Sequence, residues 1–101
     1  MQLFEVITPI DIAVRTTSAY WERIVSIKHP SMRGHEKDVM ETLVEPSEIR
    51  VSRSDENVLL FYRPFGIYYV CVVVRKEYGA GFIVTAYKTD KIKEGVGIWP
   101  S

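Results

Sequence analysis

Apolar positions recur at two periods along the chain, and the change from one to the other divides it. In TTSAYWERIVSIKHP the helical period dominates: Tyr20, Ile24 and Ile27, with Trp21 and Val25 beside them, form a stripe that Thr17 or Ser18 can cap. Pro30 disfavours helical geometry at His29 and so ends that helix. GHEKDVMETLVEP predicts a second helix, with Val39 and Leu43 four apart, Glu36 and Asp38 near its start and Pro46 just past its end. From Glu48 onward the period shortens. EIRVSRS, VLLFYRPF, IYYVCVVVRK and GFIVTAYKT read as four strands, separated by Asp-Glu-Asn, Pro-Phe-Gly and Tyr-Gly-Ala-Gly.

Connections that short predict an antiparallel meander over 48–90. IYYVCVVV is apolar at both parities, which places it centrally with both faces covered, whereas GFIVTAYKT sets Phe82, Val84 and Ala86 against Ile83, Thr85 and Tyr87. The expected fold class is α+β: amino-terminal helices over 18–45 packed on one face of a four-stranded antiparallel sheet, the face that carries Val84 and Ala86. LFEVIT and DIAVRT, interrupted by Pro9, predict short edge strands within 1–17. KIKEGVGIWPS predicts a tail over 91–101 whose Trp99 packs back on the sheet or marks a contact surface.

A chain of 101 residues with 47% hydrophobic content suits one domain with one core and needs no disulfide or structural metal. Thirteen basic residues cancel thirteen acidic ones, so no global field draws in nucleic acid, and any anion site is a local pocket. Cys71 stands alone within YYVCVVV and reads as a buried, reduced thiol, which fits a cytoplasmic setting. No stretch approaches the about 20 apolar residues of a membrane span, and Glu5 and Pro9 interrupt the amino terminus before a secretory-length run forms. Two histidines and one cysteine offer neither CxxC nor HExxH, so no metal site is expected. GAGF has neither the length nor the following helix of a nucleotide-binding loop, and no cofactor is implied.

What chemistry remains lies in KHPSMRGHE, which holds His29 and His35, and in polar groups on the strands. If Val58, Leu60 and Tyr62 point to the core, Arg63 points away from it, and Thr85 and Tyr87 take the corresponding face of the last strand. Arg50, Ser52, Arg53 and Lys88 add phosphate-binding or RNA-binding groups. A histidine at the rim, a guanidinium and two hydroxyls could cleave RNA through its own 2′-hydroxyl. Imidazole takes or gives the proton near neutral pH, arginine holds the phosphate oxygens, and hydroxyls donate to them. Each residue also has a structural reading. His29 ends a helix, His35 shares a helical face with Val39 and Leu43, Arg63 precedes a proline at a strand end, and tyrosines are common in strands.

The order KHPSMRGHEKDVMETL, PSEIRVSRSD, LLFYRP, a valine-rich strand and FIVTAYKTDKIKEG resembles the small phage-associated members of the barnase, EndoU, colicin and RelE-like nuclease superfamily, over roughly residues 18 to 95. The resemblance implies a metal-independent ribonuclease whose open sheet face binds RNA. It matches His29 and His35 to the family's helix-borne histidine, Arg63 to its strand-borne basic residue, and Thr85 and Tyr87 to its final-strand hydroxyls. It also implies a protein inhibitor or antitoxin as partner. The alternative on the same scaffold is a non-catalytic domain that grips a protein through Phe65, Tyr68 and Trp99, since aromatics supply contact area.

Overall fold

Thr17 caps the first helix: its backbone is extended and its side chain accepts a hydrogen bond from the Tyr20 N–H, satisfying one of the N–H groups a helix start leaves unpaired. The computed structural model, which describes residues 1–92 and 95–100, runs this helix, α1, over Ser18–Arg23. It then loosens into a π-helical segment over Ile24–Lys28, where the His29 N–H donates to the Ile24 carbonyl at 2.8 Å. Pro30 opens a 3-10 turn over Pro30–Met32, and the second helix, α2, covers Glu36–Val44. The Pro-Gly stretch is therefore a corner between two helices, as the punctuation predicts.

The strands are β1 (Gln2–Ile7), β2 (Ala13–Thr17), β3 (Glu48–Val51), β4 (Val58–Phe65), β5 (Tyr68–Glu77), β6 (Ala80–Thr89) and β7 (Val96–Trp99). They form one seven-stranded sheet in the order β1-β2-β6-β5-β4-β3-β7. The α+β class holds, with helices on a sheet, but the four-stranded antiparallel expectation is corrected to a seven-stranded mixed sheet. The expected meander is its centre, β3 to β6. The edge strands of 1–17 are a hairpin whose second strand runs parallel to β6, and the tail supplies β7, antiparallel to β3. Within that tail Lys93, Glu94 and Ser101 lie outside the described residues.

Gly81 explains how the amino-terminal hairpin docks. A Cβ there would meet Val74 Cγ1 at 2.8 Å and Val14 Cγ2 at 3.0 Å, so only glycine lets β2 close on β6 with Val14 buried between them. The pairing lasts three residues, Ala13–Arg15 against Ala80–Phe82, and the strands then fork. The helical corner is anchored on the β6 side of the fork. Both the Tyr20 hydroxyl and the Lys28 ammonium donate to the Val84 carbonyl, at 3.1 and 3.3 Å. Val84 is the extra residue of a β-bulge, since Val73 pairs with Thr85 and Val74 with Ile83.

The main core lies between helices and sheet: Trp21, Ile24, Val25, Met32, Val39 and Leu43 pack against Val14, Ile49, Leu59, Phe61, Val72 and Ala86. The other face carries a smaller cluster of Leu60, Tyr62 and Cys71, with Tyr69, Val73, Tyr87 and Ile92 against it. Tyr62 is fully buried there, in a cluster closed by Tyr69, Tyr87 and Ile92, the last beyond the end of β6. Gly95 lies on this face too, where its carbonyl accepts from Arg50 at 3.2 Å. Among the described residues no helix is long and apolar enough to cross a membrane.

Candidate functional site

Register sorts the polar side chains between the two faces. Tyr62, Cys71 and Tyr87 form one cross-strand row and Leu60, Val73 and Thr85 the next, both on the outer face away from the helices. Arg63, Val70 and Lys88 form a row on the helix side. The expected common face for Arg63, Thr85 and Tyr87 is thus corrected. Arg63 sits beyond the end of α2, where its Nη1 donates to the Glu45 carbonyl at 2.6 Å. That bond satisfies a carbonyl that a helix end leaves open.

The outer face does gather an imidazole and hydroxyls. The helical corner carries His29 to the exposed edge of β6, where its ring stacks obliquely on Tyr87, centroids 5.3 Å apart. Thr85, one row along, and Tyr87 line a cavity of about 430 Å³ with Leu60, Val73 and the Ser52, Arg53 and Ser54 side of the β3–β4 loop. Ser52 shapes that loop, its hydroxyl accepting from the Ser54 N–H at 3.3 Å. The Thr85 hydroxyl is buried and has no hydrogen-bond partner among the described residues. Such a group is uncommon in a folded protein and marks strain, catalysis or a ligand site.

Electrostatics set the protonation of this cluster. Burial, and next the Lys28 charge, lower the His29 pKa from its ordinary value of 6.5, so the ring is neutral at pH 7 and free to accept a proton. Burial, and next the neighbouring Cys71 thiol, push the Tyr87 hydroxyl up, so it keeps its proton. That hydroxyl is turned into the Tyr62 and Cys71 cluster and is buried. Tyr87 therefore offers its ring to His29 rather than its oxygen to a ligand. Outside the corner, Arg33 donates to the Glu22 carboxylate at 2.9 and 3.2 Å, and Ser26 donates to the same group. This clasp joins the two sides of the turn that bears His29. Arg33 and next Ser26 hold the Glu22 pKa down to about 2.

The remaining candidates lie elsewhere. His35 stands at the head of α2 with Nδ1 2.9 Å from Asp38 Oδ2 and Nε2 3.4 Å from Lys88 Nζ, so its ring is held between a carboxylate and an ammonium. Phe65 packs edge-on to it at 5.5 Å, and Lys88 lies 5.2 Å from the Phe65 centroid. His35 and Lys88 are thus a packed helix-side pair. Arg50 is on the outer face but is engaged by Glu48, Nε to Oε1 at 2.6 Å, and by Gly95. Of the aromatics suited to gripping a partner, Phe65 and Trp99 pack against the main core and Tyr68 is exposed. Sequence reasoning missed Tyr20 and Lys28, whose anchoring on Val84 fixes the corner; the helical stripe gave Tyr20 a core role only.

Among the described residues, no three His, Cys, Asp or Glu side chains converge in a way that could hold a metal ion. The fold and site define a two-layer α+β domain with a cavity of mixed polar and apolar lining on the face of its sheet away from the helices. A scan of protein-family models, a search of curated proteins and a search of solved structures each return no significant match to the chain.

Proposed function

We propose that the protein is a metal-independent endoribonuclease that cleaves RNA through its 2′-hydroxyl at the outer-face cavity, the class of activity that its resemblance implies. The observation that carries this reading is the neutral His29 stacked on Tyr87, which itself lines a cavity with Arg53 and with Thr85, whose buried hydroxyl has no partner among the described residues. His29 takes the proton of the 2′-hydroxyl as its oxygen bonds to phosphorus. Arg53 faces the phosphate charge, and Thr85 donates to a non-bridging oxygen whose charge grows in the transition state. As the bond to the 5′-oxygen breaks, the imidazolium returns its proton to that oxygen. The products are a 2′,3′-cyclic phosphate and a free 5′-hydroxyl.

Tyr87 is a positioning residue in this scheme, and Arg63 has no part in it because it lies on the other face. Incubation with total RNA in a chelator tests the reading. Fragments ending in a cyclic phosphate are expected, and a single 2′-deoxy substitution at a cleaved position should block the cut there. Absence of cleavage, or fragments bearing 5′-phosphates, contradicts it.

A further inference from the structure

A second cavity, about 610 Å³ and larger than the reactive one, opens at the fork between β2 and β6 and is lined by Gln2, Arg15, Thr16, Tyr20, Arg75 and Phe82 among others. We propose that this fork pocket receives the base of the nucleotide next to the scissile phosphate of a single-stranded RNA, a proposal that rests on the ribonuclease reading above. Position is the first argument. Val58 of the reactive cavity pairs with Arg75, Arg75 with Phe82 and Arg15 with Phe82, so one outer-face row runs from one cavity into the other. That row is next to the row of Thr85.

Chemistry is the second argument. The Arg15 guanidinium lies 4.6 Å over the Phe82 ring, a flat cationic stack whose free side suits another π system. Tyr20 adds a wall, its hydroxyl already spent on Val84. An anion is less suited. Arg75 is bound by Asp55 at 2.9 Å and Glu77 at 3.4 Å, and Glu77 itself lines the pocket. A neutral, planar ring meets these surfaces without a charge conflict. Thr16, 5% exposed, also contributes to the wall, and its buried hydroxyl has no partner among the described residues. The polar edge of a base could supply one. A paired base cannot leave its stack to enter, which selects single strands.

The test is a titration of isotope-labelled protein with short oligoribonucleotides made uncleavable by 2′-deoxy substitution, beside kinetics on the cleavable strand. Backbone amides of Arg15, Thr16 and Phe82 should shift together with those of Thr85 and Tyr87. Removing the base on one side of the scissile bond should weaken binding by roughly 5-fold or more, as loss of a stacked base does. Arg15→Ala should raise KM about tenfold with the loss falling on KM rather than kcat, and Thr16→Val, nearly isosteric, should also raise KM with an unchanged melting temperature. If RNA is cut and moves Thr85 and Tyr87 while the fork amides, the abasic strands and both variants show no effect, the pocket is not a base subsite and the ribonuclease reading stands. If RNA is neither cut nor felt at Thr85 and Tyr87, the ribonuclease reading fails and takes this proposal with it.

Discussion

Thr85 carries a hydroxyl that folding buries without a partner among the described residues, and an unsatisfied buried group of this kind costs about 1–3 kcal/mol. Replacing it by the isosteric valine separates stability from activity. Thr85→Val should leave the unfolding free energy unchanged or raise it by at most ~1 kcal/mol, because the methyl needs no partner. The same change should lower kcat by roughly 10- to 100-fold, because a donor aimed at the phosphate is lost. Urea unfolding and single-turnover cleavage read the two effects, and a stability loss with full activity would assign the hydroxyl a structural role. His29 makes the second residue-scale prediction. Its folded pKa lies below the unfolded value of 6.5, so the unfolded chain binds the proton more readily. That contribution to stability is complete above pH 6.5 and is lost as pH falls through the lowered folded value. Melting temperatures taken from about pH 7.5 to about pH 5 should therefore fall more for the wild type than for His29→Gln; equal slopes would mean the ring is not desolvated.

At the scale of elements, the site depends on how β6 is used twice: its first residues hold β2, and its later edge, from the Val84 bulge on, holds the helical corner. Gly81→Val should therefore destabilise the protein by ~1–3 kcal/mol through overpacking against Val74 and Val14. Gly97→Val, where an added Cβ meets nothing within 4 Å, is the control that should cost much less in the same thermal unfolding experiment. The corner and the central meander are legible in the sequence because their signals are local: Thr17 as a cap, Pro30 as a stop, the strand periods and the short turns. The parallel pairing of β2 with β6 is not legible, since it joins distant segments and its one trace is a glycine in a strand. β7 hides in a short, glycine-bearing tail. The face of Arg63 is illegible for another reason: VLLFYRPF is apolar at both parities, and Tyr62 is as buried on the outer face as Phe61 is on the inner one. Periodicity cannot assign faces to a strand covered on both sides. Thr85 and Tyr87 keep the common face that alternation gives them, and His29 reaches it only because the corner wraps the edge of β6.

For the whole molecule, zero net charge limits how RNA can be held. A chain with thirteen charges of each sign has no long-range attraction to offer, and on the outer face Arg75 and Arg50 are already engaged by carboxylates. Binding should rest on few phosphate contacts and on stacking. The logarithm of the binding constant should then fall with the logarithm of salt concentration at a slope of only about −1 to −2, given roughly −0.7 per phosphate on a single strand; a slope several times steeper would mean a basic surface that this fold does not present. The central claim, that the reactive centre lies on the outer face, is tested most directly by one comparison of cleavage rates among wild type, His29→Gln and Arg63→Ala, each shown to be folded. The account predicts a loss of about 100-fold or more for His29→Gln and a rate within about threefold of wild type for Arg63→Ala, whose guanidinium is spent on the end of α2. Full activity in His29→Gln, with activity abolished in Arg63→Ala, would put the chemistry on the other side of the sheet.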